Sequence, residues 1–133
     1  MLGPNGLLLA VAVSRFGTLL SALKRAALAD PVIARMVERD IREGQHRNPT
    51  PGRASGWFTT AFFHHPEELA AEVVEAGFVL DAVFGLEGPG AFVGDWTDPG
   101  QREGMLEAAR AVEREPSLLG MSSYLLAVAR QDA

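Results

Sequence analysis

The chain has 133 residues, 47% of them hydrophobic and 22% charged, a balance that builds one globular core and argues against disorder. Its net charge of −5 argues against a nucleic-acid partner, because phosphate binding needs a clustered positive field. Cysteine is absent, which excludes disulfides, thiolate metal sites and a cysteine nucleophile.

The first predicted element follows the turn Met1-Leu2-Gly3-Pro4-Asn5-Gly6. Leu7-Leu8-Leu9-Ala10-Val11-Ala12-Val13 is an apolar run without alternation. A strand open to water on one face alternates polar and apolar residues. This run is therefore expected to be covered on both faces, as in the sheet of an α/β protein. Such strands have a neighbour on each edge, and nothing ahead of residue 6 supplies one. The run reads as the later part of a larger sheet. It has no Lys or Arg ahead of it and no small-x-small cleavage site after it, and it is too short to span a bilayer. A cytoplasmic location is expected, with no membrane partner.

Phe16, Leu19, Leu20, Leu23 and Ala27 then recur at helical spacing, with Ser14 as the expected cap. Asp30-Pro31 starts a second helix, since Asp caps free N–H groups and Pro is tolerated at the first position. Val32, Ile33, Met36, Val37 and Ile41 form its apolar stripe, and Gly44 is its stop. Residues 45 to 57 (Gln-His-Arg-Asn-Pro-Thr-Pro-Gly-Arg-Ala-Ser-Gly-Trp) read as a loop, because two prolines and two glycines work against regular structure. A loop this long in a compact domain binds something or is mobile.

Pro66-Glu67-Glu68 opens the clearest helix, with carboxylates in the first turn and Leu69, Val73 and Ala76 along one face. Gly77 ends it, and Phe78 to Phe84 reads as a strand. Gly85 to Asp98 is a Gly-rich connection. Asp98-Pro99-Gly100-Gln101 resembles a capping box, with Met105, Ala109 and Val112 on the buried side. A short helical turn over Pro116 to Gly120 precedes a closing strand, Ser123 to Arg130. The last two strands are expected to form an antiparallel pair at the edge of an otherwise parallel sheet.

This order resembles the C-terminal half of a class I S-adenosylmethionine-dependent methyltransferase. Leu2-Gly3-Pro4-Asn5-Gly6-Leu7-Leu8-Leu9 is similar to that family's "L-x-P-G-G-x-L" turn into its fifth strand, with Asn5 in place of the first glycine of the pair. Phe62-Phe63-His64-His65-Pro66-Glu67-Glu68-Leu69, followed by Glu75-Ala76-Gly77-Phe78, is similar to its "x-x-P-E-E-L … E-A-G-F" segment into the sixth strand. Ser122 to Arg130 would be the seventh. The resemblance implies a partial Rossmann-like sheet in one domain over residues 1–133: strands five to seven, an antiparallel edge pair and flanking helices.

By the same resemblance the cofactor is S-adenosylmethionine, held mainly by an N-terminal half that this chain lacks. That half carries a Gly-rich turn and an acidic residue for the ribose hydroxyls. This chain has no G-x-G between a strand and a helix, and Pro89 spoils the turn Gly85 to Gly90 as a cradle. No cofactor-binding residue is expected here. The expected activity is that of an acceptor-pocket part, truncated or split and inactive alone, taking a small-molecule acceptor. Its expected partner is the missing half or further copies of itself. The alternative is a non-catalytic binding or interaction module that oligomerises through an open strand edge.

Five residues are candidates for substrate contact. His46 and Arg47 lie in the loop that covers the substrate pocket in similar methyltransferases. An imidazole there can act as general base, and a guanidinium can hold a carboxylate or phosphate. Arg15 follows the carboxyl end of the first strand, where ligands bind in open α/β sheets, while Phe16 reads as core. Phe62 is a ring that could line an apolar pocket, within the cluster of Trp57, Phe58 and Phe63. His64 could face the pocket, whereas His65 reads as a helix-start residue. No H-x-x-x-H or H-E-x-x-H spacing occurs, so no metal site is expected.

Overall fold

The computed structural model describes residues 3–48 and 57–132. Met1 and Leu2 of the opening turn, and the Pro49 to Gly56 part of the polar loop, lie outside the described residues.

In the opening turn Asn5 adopts φ 62° and the Gly6 N–H donates to the Gly3 carbonyl at 2.8 Å. Asparagine thus takes the left-handed conformation that glycine would otherwise supply. Strand β1 (Leu7–Ser14) follows. Ser14 ends this strand instead of capping a helix: it is buried, its Oγ lies 3.4 Å from the Gly120 carbonyl, and Phe16 occupies the N-cap position. Helix α1 (Gly17–Lys24) packs on α2 (Pro31–Glu43) through Ala22, Ile33, Met36 and Val37. Asp30 Oδ1 caps α2 by accepting the Val32 N–H at 2.8 Å. Gly44 ends α2 at φ 74°, and a Cβ there would sit 2.7 Å from both Arg15 Nη2 and the Phe63 carbonyl. Glycine is required at this corner for conformation and for space.

The expected loop over 45–57 is corrected at its start. Gln45–Arg47 forms a short strand β2, antiparallel to β3 (Thr60–His64), with His46 opposite Ala61. The stabilising partner of each strand lies beyond the polar loop, so no local window of sequence carries the signal. Helix α3 (Pro66–Glu75) and strand β4 (Phe78–Gly85) follow as expected. The Gly-rich connection contains a short helix α4 (Gly90–Val93), and α5 (Pro99–Val112) is capped by Asp98, which accepts the Gly100 N–H at 2.9 Å. A 3-10 turn, Leu119–Met121, leads into β5 (Tyr124–Gln131).

The five strands make one mixed sheet in the order β2-β3-β1-β5-β4. β5 lies antiparallel between β1 and β4, so the last two strands form the expected antiparallel pair at one edge. The rest of the sheet is not parallel throughout as expected, since β2 runs antiparallel to β3. The sheet has two strands more than the expected three, because β2 and β3 extend it beyond β1. One face of its centre carries Leu8, Ala10 and Ala12 of β1 and Leu125, Ala127 and Ala129 of β5. These pack under Leu69 and Val73 of α3 and under Leu119. The alanines are small enough to bring the helix close to the strands.

The opposite face overturns the expectation of two-sided cover. Leu7, Leu9 and Val11 are 55%, 58% and 60% exposed, and burial alternates along the strand. β3 pairs with β1 only at Val13 and Ser14, so among the described residues no strand lies along the outer edge of Leu7 to Ala12. A bare apolar face beside open backbone groups favours association. The chain alone is expected to form a dimer or larger assembly. Leu9→Lys with Val11→Lys should lower the native mass and leave the circular dichroism unchanged. A parent chain that stays folded and strictly monomeric at high concentration would contradict this.

Candidate functional site

A cavity of about 360 Å³ opens outside the carboxyl end of β1. Val13, the last residue but one of the strand, stands at its wall, and Thr18 and Ser21 face it from α1. Trp57, Phe58, Phe63 and Tyr124 line it with aromatic side chains. His46 enters from β2 and stacks on Phe63, with ring centroids 4.9 Å apart. A second, more open cavity of about 770 Å³ adjoins it and shares Ser21, Arg25 and Ser123 with it. Open α/β sheets bind ligands outside the carboxyl ends of their strands, and this cleft occupies that position.

Behind the wall lies a buried polar relay. Asp40 and His46 are 0% and 1% exposed. Asp40 Oδ2 accepts from the Thr18 hydroxyl at 2.7 Å and faces His46 Nδ1 at 2.6 Å. His46 Nε2 lies 2.9 Å from the Phe58 carbonyl. A carbonyl and a carboxylate are both acceptors, so this arrangement calls for a hydrogen on each side of the ring. A general base needs a lone pair facing the acceptor. Here Nε2 donates to Phe58 and reaches a bound molecule only if that carbonyl withdraws.

Of the five candidate residues, His46 alone lines the cleft. The side chain of Arg47 is exposed, and its carbonyl accepts a hydrogen bond from Arg39. Arg15, Phe62 and His64 gather elsewhere. Strand alternation places Phe63 toward the cleft and its two neighbours on the other side of β3. Arg15 is 5% exposed and donates to the Phe63 carbonyl at 2.9 Å, to the Ile41 carbonyl at 3.4 Å and to Glu68 at 2.6 and 2.7 Å. Its guanidinium lies 5.8 Å from the centre of the Phe62 ring, and Phe62 meets His64 edge-to-face at 4.9 Å. His64 Nε2 is 3.1 Å from Glu72. This cluster ties β3 to α3, with His65 against Phe16 at 5.6 Å.

Glu68 joins both halves of that tie, since its Oε2 also accepts the His65 N–H at 2.8 Å. Partial burial pushes its carboxyl upward, but the His65 N–H and the Arg15 guanidinium outweigh it and hold the group below the usual glutamate range. The unfolded chain therefore binds the proton more readily than the folded one. Stability from this group is present above the ordinary glutamate value and falls as acidification passes through the depressed one. Glu68→Gln should flatten this acid limb in urea melts taken at successive pH values. An unchanged limb would assign the acid loss to other carboxylates.

The residues missed by sequence reading are those that build the cleft. Thr18, Ser21 and Arg25 recur at i, i+3 and i+7, one face of α1 continued past its end. Asp40 was legible too: it falls on the apolar stripe of α2, where a carboxylate is buried only with partners. Ser123 and Tyr124 had no local signal.

The turn after β4 is glycine-dense for internal reasons: a Cβ on Gly85 would lie 2.4 Å from Ser122 Oγ, and the Gly88 N–H donates to that hydroxyl at 2.9 Å. Its backbone is folded around Ser122. Among the described residues no three His, Asp or Glu side chains converge as metal ligands, and no helix is long and apolar enough to cross a membrane. No protein-family model matches this chain, and no curated protein sequence matches it.

Proposed function

We propose that the chain is the acceptor-side part of an S-adenosylmethionine-dependent methyltransferase, the half that shapes the substrate pocket without a complete cofactor site. The observation that carries this reading is the position of the cleft. It lies outside the carboxyl end of β1, in a sheet whose last two strands form an antiparallel edge pair. The motif order Leu2 to Leu9, Phe62 to Leu69 and Glu75 to Phe78 supports it. The bound cofactor would supply a methyl group on a sulfonium. This chain's residues would hold an acceptor, exclude water with their aromatic walls and fix its orientation. Calorimetry on the isolated chain should show no tight S-adenosylmethionine site. Saturable low-micromolar binding would overturn the half-site reading.

A second reading is favoured by the bare edge and face of β1: a non-catalytic binding module that assembles through that strand. It predicts a stable homo-oligomer that no added segment dissociates.

A further inference from the structure

The cleft carries more chemical information than its position. Both tryptophans, the single tyrosine and three of the seven phenylalanines border its two cavities: Trp57, Trp96, Tyr124, Phe58, Phe63 and Phe92. Aromatic walls on this scale favour a flat ring, which gains stacking and edge-to-face contact beyond simple burial. The inner cavity, at about 360 Å³, lies at the small end of ligand pockets, which run roughly 300–1,000 Å³. One or two fused rings fit such a space. A dinucleotide or a peptide would have to extend into the outer cavity, at about 770 Å³.

Charge narrows the class. The protein as a whole is at −5, yet the junction of the two cavities is bordered by Lys24 and Arg25. Among the described residues the one carboxylate lining either cavity is Glu87, in the outer one. Two cations thus stand at that junction, Lys24 within Coulombic reach of Asp95, and the Arg25 guanidinium borders both cavities. Arg25 lines both cavities and lies 5.1 Å from the centre of the Trp57 ring. A guanidinium over an indole face is held there by the ring quadrupole, and its planar fork matches a carboxylate. Lys24 is anchored one residue earlier, with Nζ 3.1 Å from the Ala91 carbonyl. The hydroxyls of Thr18, Ser21 and Ser123 add donors and acceptors for a further polar substituent.

We propose that the cleft binds a planar aromatic acid, its ring among Trp57, Phe63 and Tyr124 and its carboxylate at Arg25. The inference rests on the cleft being the acceptor pocket and names the class of acceptor it takes. A cationic ligand would meet Lys24 and Arg25 directly. An aliphatic acid would satisfy the cations and forgo the rings.

The test is a titration of the full chain, without S-adenosylmethionine, with naphthoate, its uncharged amide and cyclohexanecarboxylate. Calorimetry gives the affinities, and the Trp57 indole N–H resonance reports the location. Naphthoate should bind saturably and shift that resonance, about tenfold more tightly than either analogue, a difference of about 1.4 kcal/mol. Arg25→Gln should abolish the preference of acid over amide with the circular dichroism of the folded chain unchanged, and Arg25→Lys should restore part of it. Equal binding of acid and amide, an unaltered preference in Arg25→Gln, or no saturable binding to the folded chain would each overturn the proposal. If naphthoate binds as stated and no added segment confers cofactor affinity, the methyltransferase reading fails and the ligand class stands. Restored cofactor affinity without aromatic-acid binding would be the reverse.

Discussion

Replacing Asp40 by alanine is expected to cost about 2–6 kcal/mol of stability, because two buried hydrogen-bond partners each lose Asp40 at about 1–3 kcal/mol apiece. Asp40 is fully buried and gathers the Thr18 hydroxyl and the His46 ring onto one oxygen. Without it, α1, α2 and β2 lose their common polar anchor, and His46 keeps a buried N–H with no acceptor. Domains of this size are stable by only about 5–15 kcal/mol, so the loss is a large share of the total. Urea unfolding gives the number. Asp40→Asn keeps an oxygen for Thr18 and His46 and should cost less. A loss below about 1 kcal/mol for the alanine variant would match an ordinary single hydrogen bond and contradict the relay.

Arg15→Ala is expected to cost about 2–3 kcal/mol, because the Phe63 and Ile41 carbonyls both lose a donor on the buried side of the Gly44 corner. The ion pair with Glu68 adds little, since that carboxylate side chain is 38% exposed. Arg15→Lys should not rescue the loss, because one ammonium cannot replace a fork that reaches three separate acceptors. Stability unchanged by Arg15→Ala, with weaker ligand binding, would return Arg15 to the role of a substrate contact.

These two residues show where the sequence was legible and where it was not. Caps and stops act within a few residues, so Asp30, Gly44, Asp98 and Gly77 marked their elements directly. The apolar runs of β1, β4 and β5 were long enough to read as strands. The expectation of two-sided cover for β1 followed its composition, but cover depends on what packs there, and Leu7, Leu9 and Val11 are bare. β2 and β3 escaped notice because each is short and stabilised by the other. Alternation along β3 separated Phe63 from Phe62 and His64, so adjacent candidates went to opposite sides. Arg15 lies at the right end of β1 for a ligand, yet Glu68, fifty-three positions on, holds its guanidinium. Of the cleft, His46 and the aromatic cluster of Trp57, Phe58 and Phe63 were visible. Its α1 face was present as spacing, and its β5 face arises from topology alone.

The central claim is that this chain is one part of a two-part site. Calorimetric titration of S-adenosylmethionine into the chain mixed with an N-terminal methyltransferase segment, carrying the Gly-rich turn and the ribose-binding acid, tests it most directly. Low-micromolar affinity in the mixture, absent from either component alone, is the predicted result. A mixture that forms a stable complex yet binds no cofactor, or an isolated chain that binds it tightly, would contradict the account.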